Sequence, residues 1–214
     1  PIAGEPGGAA TRRLSVHARL RNVDPRALLP AAPQASLNLD VDASGELPAT
    51  GLPSALELDC RIPDSRIEGL ALAGEGRVRL EGERLPALKL ALQLAGNTLS
   101  AEGAWGARGD VLHLALDAPH LAALGHELGG RAGASGQLSG TLDAPTGELQ
   151  FFGEALRLPG SVRVLGLNGV ARLDAGADGP FQLAVGLSGL GPMGKDADGV
   201  ALPDWLVSAR VSAS

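Results

Sequence analysis

Apolar and polar residues alternate with a period of two along most of the chain. Leu14, Val16, Ala18 and Leu20 alternate with Ser15, His17, Arg19 and Arg21. Leu37, Leu39 and Val41 alternate with Asn38, Asp40 and Asp42, and Leu56, Leu58, Cys60 and Ile62 with Glu57, Asp59 and Arg61. Val78 and Leu80 sit between Arg77, Arg79 and Glu81, and Leu88, Leu90, Leu92 and Leu94 enclose Lys89 and Gln93. The pattern returns at Leu112, Leu114 and Leu116, at Leu138 and Leu142, at Val162 and Val164, and at Phe181, Leu183, Val185 and Leu187. Successive side chains of a strand point to opposite faces. Each segment is therefore predicted to be a strand with one apolar and one polar face, as in an antiparallel sheet and not a parallel sheet buried on both sides.

Turn residues stand between the runs, at Gly96-Asn97, around Gly109-Asp110 and over 176–180. Two stretches break the alternation. Residues 24–29 and 118–124 read as short helical crossovers, each with a proline near its start, where the missing N–H is harmless. Leu20 matches Leu116 and Leu28 matches Leu124. Small-residue strands ending in Ser44-Gly45-Glu46-Leu47 and Ser139-Gly140-Thr141-Leu142 follow them. The result is a weak internal repeat of about 95 residues, which a long open sheet built from repeats produces. The expected organisation is a sheet segment over 1–190, then a loop and a terminal strand over 191–214. The chain opens and closes inside strand-like patterns, so a segment of a longer protein is expected.

Composition sharpens this picture. Of 214 residues 44% are hydrophobic but only 2% are aromatic, with no Tyr. Compact cores lean on aromatics for buried area, whereas a long surface of Leu and Val does not need them. Outer-membrane barrels carry aromatic girdles, which this composition argues against. The net charge of −6 and the scattered cations offer no basic stripe for nucleic acid. No apolar run approaches the ~20 residues of a membrane-spanning helix.

Candidate chemistry is sparse. Gly189–Lys195 fits the spacing of a phosphate-binding loop, but Asp196 stands where Ser or Thr should hold magnesium and the following residues are poor helix formers, so a surface loop is expected. The four histidines do not converge; His17 and His113 fall on polar faces, and the spacing of His120 and His126 suits no single helical face. Asp40 and Asp42 read as a solvated face, Asp196 and Asp198 lack the remaining ligands of a calcium loop, and Gly133-Ala134-Ser135-Gly136 misses the nucleophile elbow. The single Cys60 reads as a small buried hydrophobe. Trp105 and Trp205 read as packed residues or interface anchors. No catalytic residue, metal or cofactor is expected.

Three segments carry a family resemblance. Leu112-His113-Leu114-Ala115-Leu116-Asp117-Ala118-Pro119-His120-Leu121 resembles the strand-then-turn element of the TamB family, which groups with AsmA-like, repeating β-groove proteins. Gly136-Gln137-Leu138-Ser139-Gly140-Thr141-Leu142-Asp143-Ala144-Pro145 is similar to a recurring segment of that family, and Leu94–Gly103 to one of its hairpins. The similarity covers roughly 14–190; the run Gly191–Asp196 has no counterpart.

The resemblance implies an all-β protein, an open, twisted, mostly antiparallel sheet forming a U-shaped groove (a β-taco) with short helical crossovers. It implies a periplasmic protein anchored in the inner membrane by an N-terminal helix. It further implies transfer of phospholipid toward the outer membrane, with an Omp85-type barrel (TamA-like) as partner in outer-membrane protein assembly. The Leu and Val residues named in the first paragraph, from Leu14 to Leu187, are then expected to line the groove against acyl chains. On pattern alone the same alternation also builds a closed β-sandwich or solenoid with a structural or adhesin-like role. The resemblance favours the groove.

Overall fold

A computed structural model of the chain describes residues 12–27, 29, 31–47, 55–125, 127–141, 143–174, 180–192 and 205–213. They form twelve strands: β1 (Arg12–Val23), β2 (Ala35–Leu47), β3 (Ala55–Ile67), β4 (Leu70–Glu81), β5 (Arg84–Leu94) and β6 (Asn97–Trp105), then β7 (Val111–Ala118), β8 (Gly129–Gly140), β9 (Pro145–Leu158), β10 (Val162–Leu173), β11 (Phe181–Pro192) and β12 (Trp205–Ala213). All belong to one sheet in simple chain order, and every neighbouring pair is antiparallel. The sheet is open: β1 and β12 are its ends and do not pair. The expected open antiparallel sheet with short crossovers is therefore what the chain forms. The crossovers are single 3-10 turns, Pro25–Ala27 after β1 and Leu121–Leu124 after β7.

The hairpins explain why the chain meanders. Glu68-Gly69 and Ala95-Gly96 make two-residue turns with positive φ at both positions (49 and 83°, 49 and 84°). Such turns twist in the sense that flanking strands require. Gly82, at φ 59°, opens the turn into β5.

The faces follow from the register. Leu14, Val16, Ala18 and Leu20 of β1 lie opposite Gly45, Ala43, Val41 and Leu39 of β2, so apolar positions stay on one side. His17 lies opposite Asp42 and Arg19 opposite Asp40 on the other. No second layer packs on the apolar face among the described residues; the strands lie against their sheet neighbours and against the 3-10 turns. The sheet is not flat. β6 and β8 approach within 8 Å across β7, where two flat strand spacings put them roughly 9.6 Å apart, so the sheet bends sharply there.

Irregularities cluster toward the edge that carries the 3-10 turns. Asn22 (φ 52°), Asp64 (φ 35°), Ala155 (φ 48°) and Gly189 (φ 60°) sit at or beside register shifts in β1, β3, β9 and β11. Each is a β-bulge, which bends a strand and increases its twist. Polar side chains satisfy the backbone groups thus freed. Ser65 is 2% exposed; its hydroxyl accepts the Asn38 N–H at 2.8 Å and lies 3.0 Å from the Pro63 carbonyl. Asn38 accepts the Asn22 N–H at 3.0 Å and donates to the Asp64 carbonyl at 2.9 Å, joining the β1 and β3 bulges.

Candidate functional site: an uncovered apolar face

The apolar face is built in cross-strand rows. One runs Leu90, Ala101, Leu114, Gly136, Leu149, Ala171, Leu183 across β5 to β11. Large and small residues alternate along it, so each large side chain can lie down over a small neighbour. A Cβ added at Gly136 would meet Leu149 Cα at 2.8 Å, and one added at Gly74 would meet Leu92 Cδ2 at 2.5 Å. Phe151 lies over Gly169 in the same way. The row continues through β4, β3, β2 and β1 as Gly76, Cys60, Val41 and Ala18.

The sequence-predicted residues fall on this face as follows. Val16, Leu58, Val78, Leu88, Leu112 and Leu138 share a second row, completed by Ala43, Gly103, Gly147, Leu173 and Phe181. Leu92, Leu116 and Val185 share a third with Leu99, Ala134, Phe151 and Gly169. Leu14, Leu56 and Leu80 are joined through Gly45, and Leu20 pairs with Leu39, beside which Leu37 follows the same parity. Leu94 pairs with Leu72, and Leu187 with Leu167. Leu142 lies outside the described residues.

Val164 needs the bulge to reach this face. Counted back from Leu167 by strict alternation it would point to the polar side. Ala155 resets the parity of β9, so Leu156 reaches over Gly153 on the apolar face. Val164, paired with Leu156, is 3% exposed, while Leu165 is 53% exposed. Val162 pairs with Leu158 at the strand's start.

Sequence reasoning missed Leu72, Leu99, Leu149, Phe151, Leu167 and Leu173, which the register adds to the face. Leu99 stands alone between Thr98 and Ser100, so only its cross-strand partners reveal it, whereas Leu149 and Phe151 alternate with Glu148 and Gln150, a short signal that the sequence did carry. The rows hold no charged side chain. Cys60 sits in one of them, and burial pushes its thiol pKa up, which suits a small hydrophobe and not a nucleophile.

The polar face is laced with ion pairs. His17 meets Asp42 at 2.5 Å, Arg21 meets Asp40 at 2.6 Å, Arg77 meets Asp59 at 2.6 Å and Arg172 meets Glu148 at 2.8 Å. Asp40 thus lies against the Arg21 guanidinium and Asp42 against the His17 ring, both on β1. Exposed pairs of this kind contribute roughly 0–1 kcal/mol each; the register is set by the hydrophobic pattern and the turns.

At one end of the strands Asp110 is held more tightly. It accepts Arg84 Nε at 2.9 Å, Arg84 Nη2 at 2.7 Å and the Ala107 N–H at 3.0 Å. The Arg84 guanidinium holds its carboxyl below the usual range. At the other end Asn97 donates to the Leu94 carbonyl at 3.2 Å and accepts the His120 N–H at 3.1 Å, tying the β5–β6 turn to the crossover after β7.

The hollows of the two faces differ. The one on the apolar face, about 180 Å³, lies among Leu114, Leu138, Leu149, Leu173 and Phe181. A wider one of about 1050 Å³ opens on the polar face of β7 to β11. Leucines lying over glycines fill the first, whereas short side chains leave the second low. Gly189–Pro192 of the phosphate-loop spacing belongs to β11 and not to a surface loop; Met193–Lys195 lie outside the described residues, as do His126 and the side chain of Trp205. Among the described residues no group of His, Cys, Asp or Glu is arranged to hold a metal ion, and no helix is long and apolar enough to cross a membrane.

No curated protein and no solved structure matched the chain. A family model did. Residues 12–194 match the model described as TamB, N-terminal domain, which takes in the sheet from β1 through β11 and extends past the 190 expected from the motifs. With an open antiparallel meander and a continuous apolar face under that match, the chain belongs to the TamB N-terminal domain family.

Proposed function

We propose that this chain is part of a groove that carries phospholipid acyl chains between the inner and outer membranes. The observation that carries the reading is the unbroken apolar face, one residue deep, running across β1 to β11 with nothing packed on it among the described residues. Burying one Leu is worth ~1.5–3 kcal/mol, so dozens of such residues require a cover. A dozen methylenes at ~0.8 kcal/mol each gain on the order of 10 kcal/mol on that surface. Such contact is non-directional and needs no fixed polar residue, which agrees with the lack of charge in the rows.

Membership of the TamB family supports the wider setting. The whole protein is then anchored in the inner membrane, works in the periplasm, and meets an Omp85-type outer-membrane barrel in outer-membrane protein assembly. The role is non-catalytic. The groove-lining residues are those of the rows, Leu90 and Leu114 at their centre.

Site-specific photocrosslinking tests the reading. A photoreactive residue in place of Leu90 or Leu114 should capture phospholipid in cells, and one in place of Lys89 or His113, one residue along, should not. Equal capture at both pairs of positions would contradict a face-specific lipid path.

A further inference from the structure

We propose that the polar face of β7 to β11 carries a binding site for a neutral saccharide, separate from the apolar face and independent of what that face carries. The site is the hollow of about 1050 Å³. Asp117, Phe152, Asn168 and Gly186 of its floor lie in one cross-strand row, in which Gly133 sits beneath the Phe152 ring. Ala115, Ser135, Gln150, Val170 and Ala184 form the next.

Phe152 is the unusual member, the one aromatic side chain of these two rows, 44% exposed beside polar and small residues and Val170. Its ring reaches over Gly133, its register partner, and so lies along the sheet with one face toward solvent. An aromatic ring over a glycine is a known stabilising device in sheets, but it leaves a flat apolar plate on the outside. Around the plate stand polar groups with unused capacity. Asp117, Ser135 and Asn168 make no side-chain hydrogen bond among the described residues. Gln150 donates only to Glu148, at 3.3 Å, leaving its carbonyl oxygen open.

Sugar rings suit this arrangement. Their C–H faces stack on an aromatic plate, and their hydroxyls pair with amides and carboxylates, which supply donors and acceptors in fixed planes. Asp117 and Asn168 are three strands apart, roughly 14 Å, a span that two or three linked rings cover. Other ligands fit worse. Asp117 is the one charged residue of the lining, so the cations that an anionic polymer needs are missing. The floor is mid-sheet, its backbone groups already used in the ladder, so an extended peptide finds no edge to join.

The test is an amide-resolved NMR titration of the 214-residue chain with cellotetraose and, separately, with chitotetraose. Saturable shifts at Gly133, Phe152, Asn168 and Gly186 are expected with at least one of them. Phe152→Ala should weaken binding at least tenfold and Asn168→Ala several-fold, while Phe152→Tyr keeps it. Asn168→Ala removes a solvent-facing side chain with no bond to lose, so it reads the site even if Phe152→Ala disturbs the sheet. Absence of saturable shifts with both sugars, or affinity unchanged in Asn168→Ala and Phe152→Ala, would overturn the proposal.

Discussion

Ser65 shows how one small polar residue makes a bulge affordable. Its hydroxyl takes the Asn38 N–H in a position 2% exposed, where water cannot substitute. Ser65→Ala strands that N–H, so a loss of about 1–3 kcal/mol is expected, read as a lower urea midpoint with unchanged slope. A change below about 0.5 kcal/mol, the range of ordinary surface substitutions, would show that the bulge does not depend on it. Asp110 gives a pH signature. Its carboxyl pKa is lowered in the fold by the Arg84 hydrogen bonds. A depressed carboxylate pKa contributes stability above the unfolded value of ~3.9 and loses it as pH falls through the folded value. Asp110→Asn should therefore lower Tm at pH 7 and narrow the Tm difference between variant and parent at pH 2.5. An equal difference at both pH values would assign the effect to packing instead.

At the level of elements, much was legible because period-two alternation needs only local reading. The strictly alternating runs Leu56–Ile62 of β3 and Leu88–Leu94 of β5 were named almost residue by residue. The two crossovers, expected as short helical turns from Pro25 and Pro119, are single 3-10 turns. The bulges were not legible. Asn22 and Asp64 belong to types that tolerate positive φ, and Pro63 beside Asp64 was a usable sign, but Ala155 carries none. Bulges are set by pairing across strands, and sequence-local patterns do not contain the register. The register also separates glycines that look alike. A Cβ at Gly76 meets the flexible Leu90 Cδ1 at 3.3 Å, whereas one at Gly136 meets the Leu149 Cα at 2.8 Å. Gly136→Ala should cost about 1–3 kcal/mol through overpacking, and Gly76→Ala should be neutral or stabilising by a few tenths, since it removes unfolded-state freedom. Thermal melts of the two variants check this; equal losses would mean the apolar rows are not packed as described.

For the whole molecule, the decisive property is that one sheet holds all twelve strands and leaves its apolar face without a partner layer among the described residues. Alternation alone favoured a closed sandwich over an open sheet without deciding between them, because both bury one face of each strand. What separates them is whether distant strands stack, and that is a long-range property outside the reach of a local pattern. The residues of the apolar face were largely legible, with Val164 reaching that face through the Ala155 bulge. The polar-face hollow was not legible at all, since Asp117, Phe152 and Asn168 come from three different strands. The most direct test of the acyl-chain reading is native mass spectrometry of the chain after incubation with phospholipid vesicles. The parent chain should carry one or more phospholipid masses. The variant Leu90→Gln/Leu114→Gln, altered at two positions of the central row and checked for an unchanged β-sheet circular dichroism spectrum, should lose most of them. A folded parent chain that takes up no phospholipid, or a folded variant that takes up as much as the parent, would contradict it.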